Sequence, residues 1–149
     1  MYFRRNVNTQ VLSYAGVALV LAVLGGSWAF DAIGAGGVVM STTVNPPRVV
    51  ADGVSKTVLT IQVRGPSGAP RQGDTVEAIN LGPGLLDRSR ALTDAKGEAR
   101  FEFVAARSSK YRPAKPVPVQ FSNVSLGKLI EVQKSVVTTV DVVAPGGRP

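Results

Sequence analysis

The sequence predicts a mainly β protein: one N-terminal transmembrane α-helix, then an antiparallel β-sandwich of about seven strands. Three observations carry this. No charge occurs between Arg5 and Asp31. From Val38 onward apolar residues alternate with polar ones instead of running together. Turn-forming residues interrupt that alternation at short intervals, the pattern of many short strands and no helix.

The first element is Val11–Phe30, VLSYAGVALVLAVLGGSWAF. As a helix it measures about 30 Å, the thickness of a bilayer's hydrocarbon core, so the expectation is a single span over residues 11–30. Arg4 and Arg5 precede it, and no Lys or Arg follows until Arg48. The positive-inside bias then puts residues 1–10 in the cytoplasm and the rest beyond an inner (cytoplasmic) membrane. Tyr2, Phe3, Trp28 and Phe30 suit the two interfaces. A cleaved signal peptide is the competing reading, with Ser27-Trp28-Ala29 as a cleavage site; the apolar run is longer than an ordinary signal core. At 100° per residue Ala15, Ala18, Ala22, Gly25, Gly26 and Ala29 share one sector, where small side chains let another helix approach closely.

Residues 31–37, DAIGAGG, read as a short flexible linker. Beyond it, alternation marks strands around Leu59–Val63, Ala99–Phe103 and Val117–Phe121, each with one apolar face. Further strands are expected at Val38–Val44, Thr75–Asn80 and Val136–Val143, with Leu129–Gln133 either joined to the last or separate. Between them stand Asn45-Pro46-Pro47, Asp52-Gly53, Gly65–Gly68, Gly82-Pro83-Gly84 and Ala95-Lys96-Gly97, all turn signals. The domain is thus residues 38–143, of immunoglobulin type, and 144–149 form a tail.

Two motifs carry a family resemblance. Ala51-Asp52-Gly53-Val54-Ser55, a strand, then Gly68, Pro70, Gly73 and Val76 give an A-D-G-x-S turn followed by G-x-P and G-x-x-V. Thr93-Asp94-Ala95-Lys96-Gly97-Glu98-Ala99 gives a later T-D-x-x-G-x-A turn. Together they resemble bacterial Ig-like domains of group 1, the invasin/intimin kind, over about residues 42–143. The resemblance implies a disulfide-free sandwich acting as rigid spacer or binding module. Members usually come in tandem on long adhesins, whereas one copy stands here.

Composition removes most chemistry. The chain has no Cys and no His, which excludes disulfides and the commonest general base and metal ligand. A Ser–Lys pair would remain, but Ser55-Lys56 and Ser109-Lys110 are sequence neighbours and on a strand point to opposite sides. The acids Asp52, Asp74, Asp87 and Asp94 stand in or near turns, in no calcium-loop spacing. No enzyme, metal or cofactor is expected, and no nucleic acid.

Partners are expected instead, because the net charge is +7, all 10 acids lie beyond the helix, and only Arg4 and Arg5 of the cations precede it. Arg107, Lys110, Tyr111, Arg112 and Lys115 crowd one loop, which reads either as a solvated loop or as a docking loop for anionic head groups or an acidic protein surface. Leu85 and Leu86 beside Gly84 are either an apolar contact tip or core filling. Two functions remain. One is a non-catalytic accessory subunit, its helix packed on other transmembrane subunits and its outer domain clamped on a larger respiratory, photosynthetic, secretion or transport complex. The other is a stand-alone membrane-anchored surface module for adhesion or ligand binding.

Overall fold

The computed structural model describes residues 4–126 and 133–146. Helix α1 (Arg4–Gly36) leads into β1 (Val39–Asn45), β2 (Arg48–Val50), β3 (Lys56–Arg64), β4 (Thr75–Asn80), β5 (Gly84–Leu86), β6 (Arg90–Leu92), β7 (Glu98–Ala105), β8 (Val117–Asn123) and β9 (Lys134–Val143). Two sheets result, with orders β1-β3-β7-β5 and β2-β9-β8-β4-β6. All pairings are antiparallel except β2 with β9. The A strand of the architecture is split: β1 joins one sheet, and after the cis Asn45–Pro46 peptide the chain crosses to the other as β2. This is the strand order of an immunoglobulin-type sandwich, A-B-E-D against A′-G-F-C with a short extra edge strand.

Alternation explains why these segments are strands. In β3 Thr57, Leu59, Ile61 and Val63 are buried; in β7 Ala99, Phe101, Phe103 and Ala105; in β8 Val117, Val119 and Phe121. Each full burial of such a Val, Leu or Phe side chain contributes about 1.5–3 kcal/mol. The two inner faces form one core with Val76, Ala78, Val140 and Val142.

The sandwich has two distinct poles. At the first, α1 is seated: Ala35 and Val38 are buried in the core, and the Lys134 ammonium donates to the Gly36 carbonyl at 3.3 Å. The same pole is pinned by Asp74, whose carboxylate takes Arg71 in two bonds of 2.6 and 3.1 Å and Asn123 Nδ2 at 2.7 Å. Thr93 Oγ1 accepts from the Asp74 amide and donates to the Arg71 carbonyl, so three loops are tied by one cluster. Strands β2 and β9 both run away from this pole, and the chain crosses from β2 to β3 at the other.

Four sequence expectations change. Among the described residues no helix is long and apolar enough to cross a membrane. Within the run, Gly16, Gly25, Gly26 and Ser27 dilute the apolar side chains. The single-pass span over 11–30, a cytoplasmic 1–10 and an inner-membrane location are therefore withdrawn. Second, the linker placed at 31–37 is helical through Gly36. Third, the described residues form nine strands rather than about seven, because β2, β5 and β6 are three-residue pieces. Fourth, Gly84–Leu86 is a strand on β7 rather than a turn tip. Of Leu129–Gln133 only Gln133 lies within the described residues, and it is outside β9.

Candidate binding pole

The second pole is built from the β2–β3 turn, the segment before β5 and the long β7–β8 connection. The turn is held by Asp52. Its Oδ1 accepts from the amides of Val54 (2.8 Å) and Ser55 (2.6 Å), and its Oδ2 accepts from the Ser55 hydroxyl (2.6 Å). The Ser55 hydroxyl, then the Ser55 and Val54 amides, hold this carboxyl down at about 2. Gly53 takes φ +83°, a conformation that Gly adopts without penalty.

The basic connection docks on that turn. Ser108 N donates to the Ala51 carbonyl at 2.8 Å, and Arg107 Nε reaches the Asp52 carbonyl at 3.3 Å. Ser109 and Arg112 exchange backbone bonds of 2.8 and 3.1 Å, which closes a tight turn with Lys110 and Tyr111 at its tip. The space enclosed beneath the loop, among Ala51, Ser108, Pro113 and Val142, is only about 10 Å³. That is room for about one water, so the loop is packed down rather than floating.

Charge at this pole is not neutralised. Elsewhere Arg48, Lys56, Arg71, Arg88, Arg90 and Arg100 pair with Asp141, Glu102, Asp74, Asp87, Glu77 and Glu98. Asp94, like Asp52, is occupied by backbone amides, those of Glu98 and Lys96, which also lower its pKa. Among the described residues, none of Arg107, Lys110, Arg112 and Lys115 meets a carboxylate, and all four are exposed. Tyr111 is 93% exposed.

Leu85 belongs to the same pole. It is 73% exposed, while Leu86 turns inward and packs on the core. Leu85, Gly53, Gly84, Val104, Ala106 and Arg112 line an open depression of about 270 Å³. The structure thus joins Leu85 to Arg112 across residues distant in sequence and assigns Leu86 to packing. Sequence reading missed Gly53, Val104 and Ala106 as lining residues; the A-D-G-x-S turn was the available signal for the first. The sequence neighbours Ser55 and Lys56 diverge, the hydroxyl to Asp52 and the ammonium to Glu102 at 3.0 Å.

The small-residue sector of α1 is on the surface: Ala15, Ala18, Ala22, Gly25 and Gly26 are exposed and Ala29 is half-buried. A methyl group built on Gly25 or Gly26 would meet nothing within 4 Å. The large apolar residues Val17, Leu19, Val20, Leu21, Val23 and Leu24 are each more than half exposed.

Two solved structures share this architecture. One is the D00–D0 domain of intimin, 18% identical with a TM-score of 0.51, covering 67% of this chain and 46% of that one. The other is a C-terminal 282-residue fragment of intimin in complex with the intimin-binding domain of the translocated intimin receptor, 17% identical with a TM-score of 0.51, covering 68% and 32%. The fold is that of intimin's Ig-like domains. This chain spans less than half the length of either intimin fragment. No protein-family profile matches the sequence, and no curated protein does. Gly53, Gly68, Gly73 and Gly97, the turn glycines of the two motifs, all take positive φ.

Proposed function

We propose that this chain is a non-catalytic binding module: an intimin-type Ig-like sandwich, seated on α1 at one pole, that contacts a protein partner with the other. The observation that carries the reading is the second pole itself, where unpaired cations, an exposed tyrosine and an exposed leucine lie on a packed, hydrogen-bonded platform opposite the helix. Loops on a rigid scaffold are where binding residues concentrate. The intimin fragment solved with a receptor domain supports a protein partner as the general class. The accessory-subunit reading has less support: it needs a packed transmembrane helix, and no described helix is long and apolar enough to cross a membrane. The exposed small-residue sector of α1 is the part of the helix we assign to a neighbouring protein helix.

Site-specific photo-crosslinking tests the reading. A crosslinking residue at Tyr111 should give a discrete protein adduct from the native cell, and one at Gln62, on the outer sheet face, should give none. Equal adducts at both positions, or none at Tyr111, would contradict it.

A further inference from the structure

The binding pole specifies the chemistry of what it takes. We propose that it captures an acidic protein segment in which one apolar side chain is flanked by carboxylates. The proposal rests on the binding-module reading and adds the class of ligand.

Charge argues for the carboxylates. Arg107, Lys110, Arg112 and Lys115 share one connection, while Asp74, Glu77, Asp87, Glu98, Glu102 and Asp141 are engaged in ion pairs with other cations and Asp52 and Asp94 in backbone turns. Asp52 is the nearest acid to Arg107 in the hydrogen-bond pattern, yet it offers Arg107 its backbone carbonyl while its carboxylate serves the turn. A partner supplying carboxylates would complete pairs that the fold leaves open, and Arg112 can take one in a two-bond fork.

Shape argues for the apolar side chain and against a lipid head group. The depression of about 270 Å³ mixes apolar side chains, Leu85, Val104 and Ala106, with Arg112 and the backbone of Gly53 and Gly84. Benzene occupies an enclosed apolar cavity of about 150 Å³, so one leucine or phenylalanine side chain fits this open one. A polar head group would leave those apolar side chains uncovered. Tyr111 and Leu85 then flank the segment as apolar contacts on a basic surface, the mixture that interfaces favour at their centres.

The experiment uses the full chain and three probes: a short synthetic peptide of Asp and Glu around one Phe, the same peptide with Phe replaced by Ser, and vesicles of phosphatidylglycerol in phosphatidylcholine. The Phe peptide should bind, more weakly as salt is raised, since screening acts over about 10 Å at 0.1 M. Its affinity should fall at least about tenfold with Arg112→Glu and with Leu85→Ser, as removing a contact at the centre of an interface does. Arg112 uses only its backbone in the local turn, so the melting temperature of Arg112→Glu should match the parent. Lys110→Glu, at the turn tip, gives a second charge variant. The Ser peptide should bind at least about tenfold more weakly than the Phe peptide. Equal binding of the two peptides, indifference to both Arg112→Glu and Lys110→Glu, or preference for the vesicles overturns the proposal. A protein crosslinked at Tyr111 without such a segment would overturn it too while leaving the binding-module reading intact.

Discussion

The rings of Phe101 and Phe121 lie 5.4 Å apart and tilted by 46°, one from each sheet, at the centre of the sandwich. Both are essentially inaccessible to solvent. This contact joins β7 to β8, the two strands that flank the basic connection.

Phe101→Ala should therefore cost about 3–5 kcal/mol, the range for removing a buried aromatic side chain. Urea unfolding of parent and variant checks this. A loss below about 1 kcal/mol would mean that the inner face of β7 is wrongly assigned.

Asp74→Ala should cost about 2 kcal/mol, because it removes charge-assisted bonds to Arg71 and strands the buried Asn123 amide. Asp74→Asn, which keeps an acceptor for both, should cost less. The same unfolding measurement ranks the two, and an inverted order would refute the cluster's role in pinning the loops around α1.

Acid should loosen the β2–β3 turn. The Asp52 carboxyl titrates at about 2, below its ordinary 3.8. A carboxylate with a depressed folded value adds stability that is full above the unfolded value and is lost as pH falls through the folded one. The turn should be insensitive to pH from neutrality down to about 4 and weaken between there and about 2. Carbon NMR of the Asp52 carboxyl reads this directly; a midpoint near 3.8 would contradict the hydrogen bonding described.

The long strands were legible in the sequence for a physical reason. Buried and exposed positions alternate through Lys56–Arg64 and Glu98–Ala105, and only a half-buried strand writes that period. Val49, Leu86 and Ala91 sit on three-residue strands, too short to show any period, and their pairing with β9, β7 and β4 is long-range. The run Asp31–Gly36 reads as a linker because Gly costs about 1 kcal/mol in a helix. It is helical all the same, and the burial of Ala35 in the core is a tertiary contact that local propensity does not reveal. At the pole, the cations were visible as a cluster in one loop. Their docking on Ala51 and Asp52, and their meeting with Leu85, depend on contacts across as many as 57 residues that no local motif encodes.

Ala22→Leu, in the small-residue sector of α1, should weaken any helix–helix assembly by about 1–3 kcal/mol through overpacking. Val20→Leu, on the opposite side, should be nearly silent. Sedimentation of the full chain carrying each substitution, without crosslinking, compares them; equal assembly of the two variants would show that the sector mediates no helix packing.

We propose that the pole opposite α1, and not basic charge in general, holds the partner. The most direct measurement compares two variants of equal net charge, Arg107→Glu with Lys115→Glu at the pole, and Arg64→Glu with Lys96→Glu at the helix-side pole. Each is tested at fixed salt for capture of the protein that crosslinks at Tyr111. The first variant should lose capture by at least about tenfold while the second keeps it within about twofold. Equal losses in both would show that net charge alone draws the partner and would contradict the account.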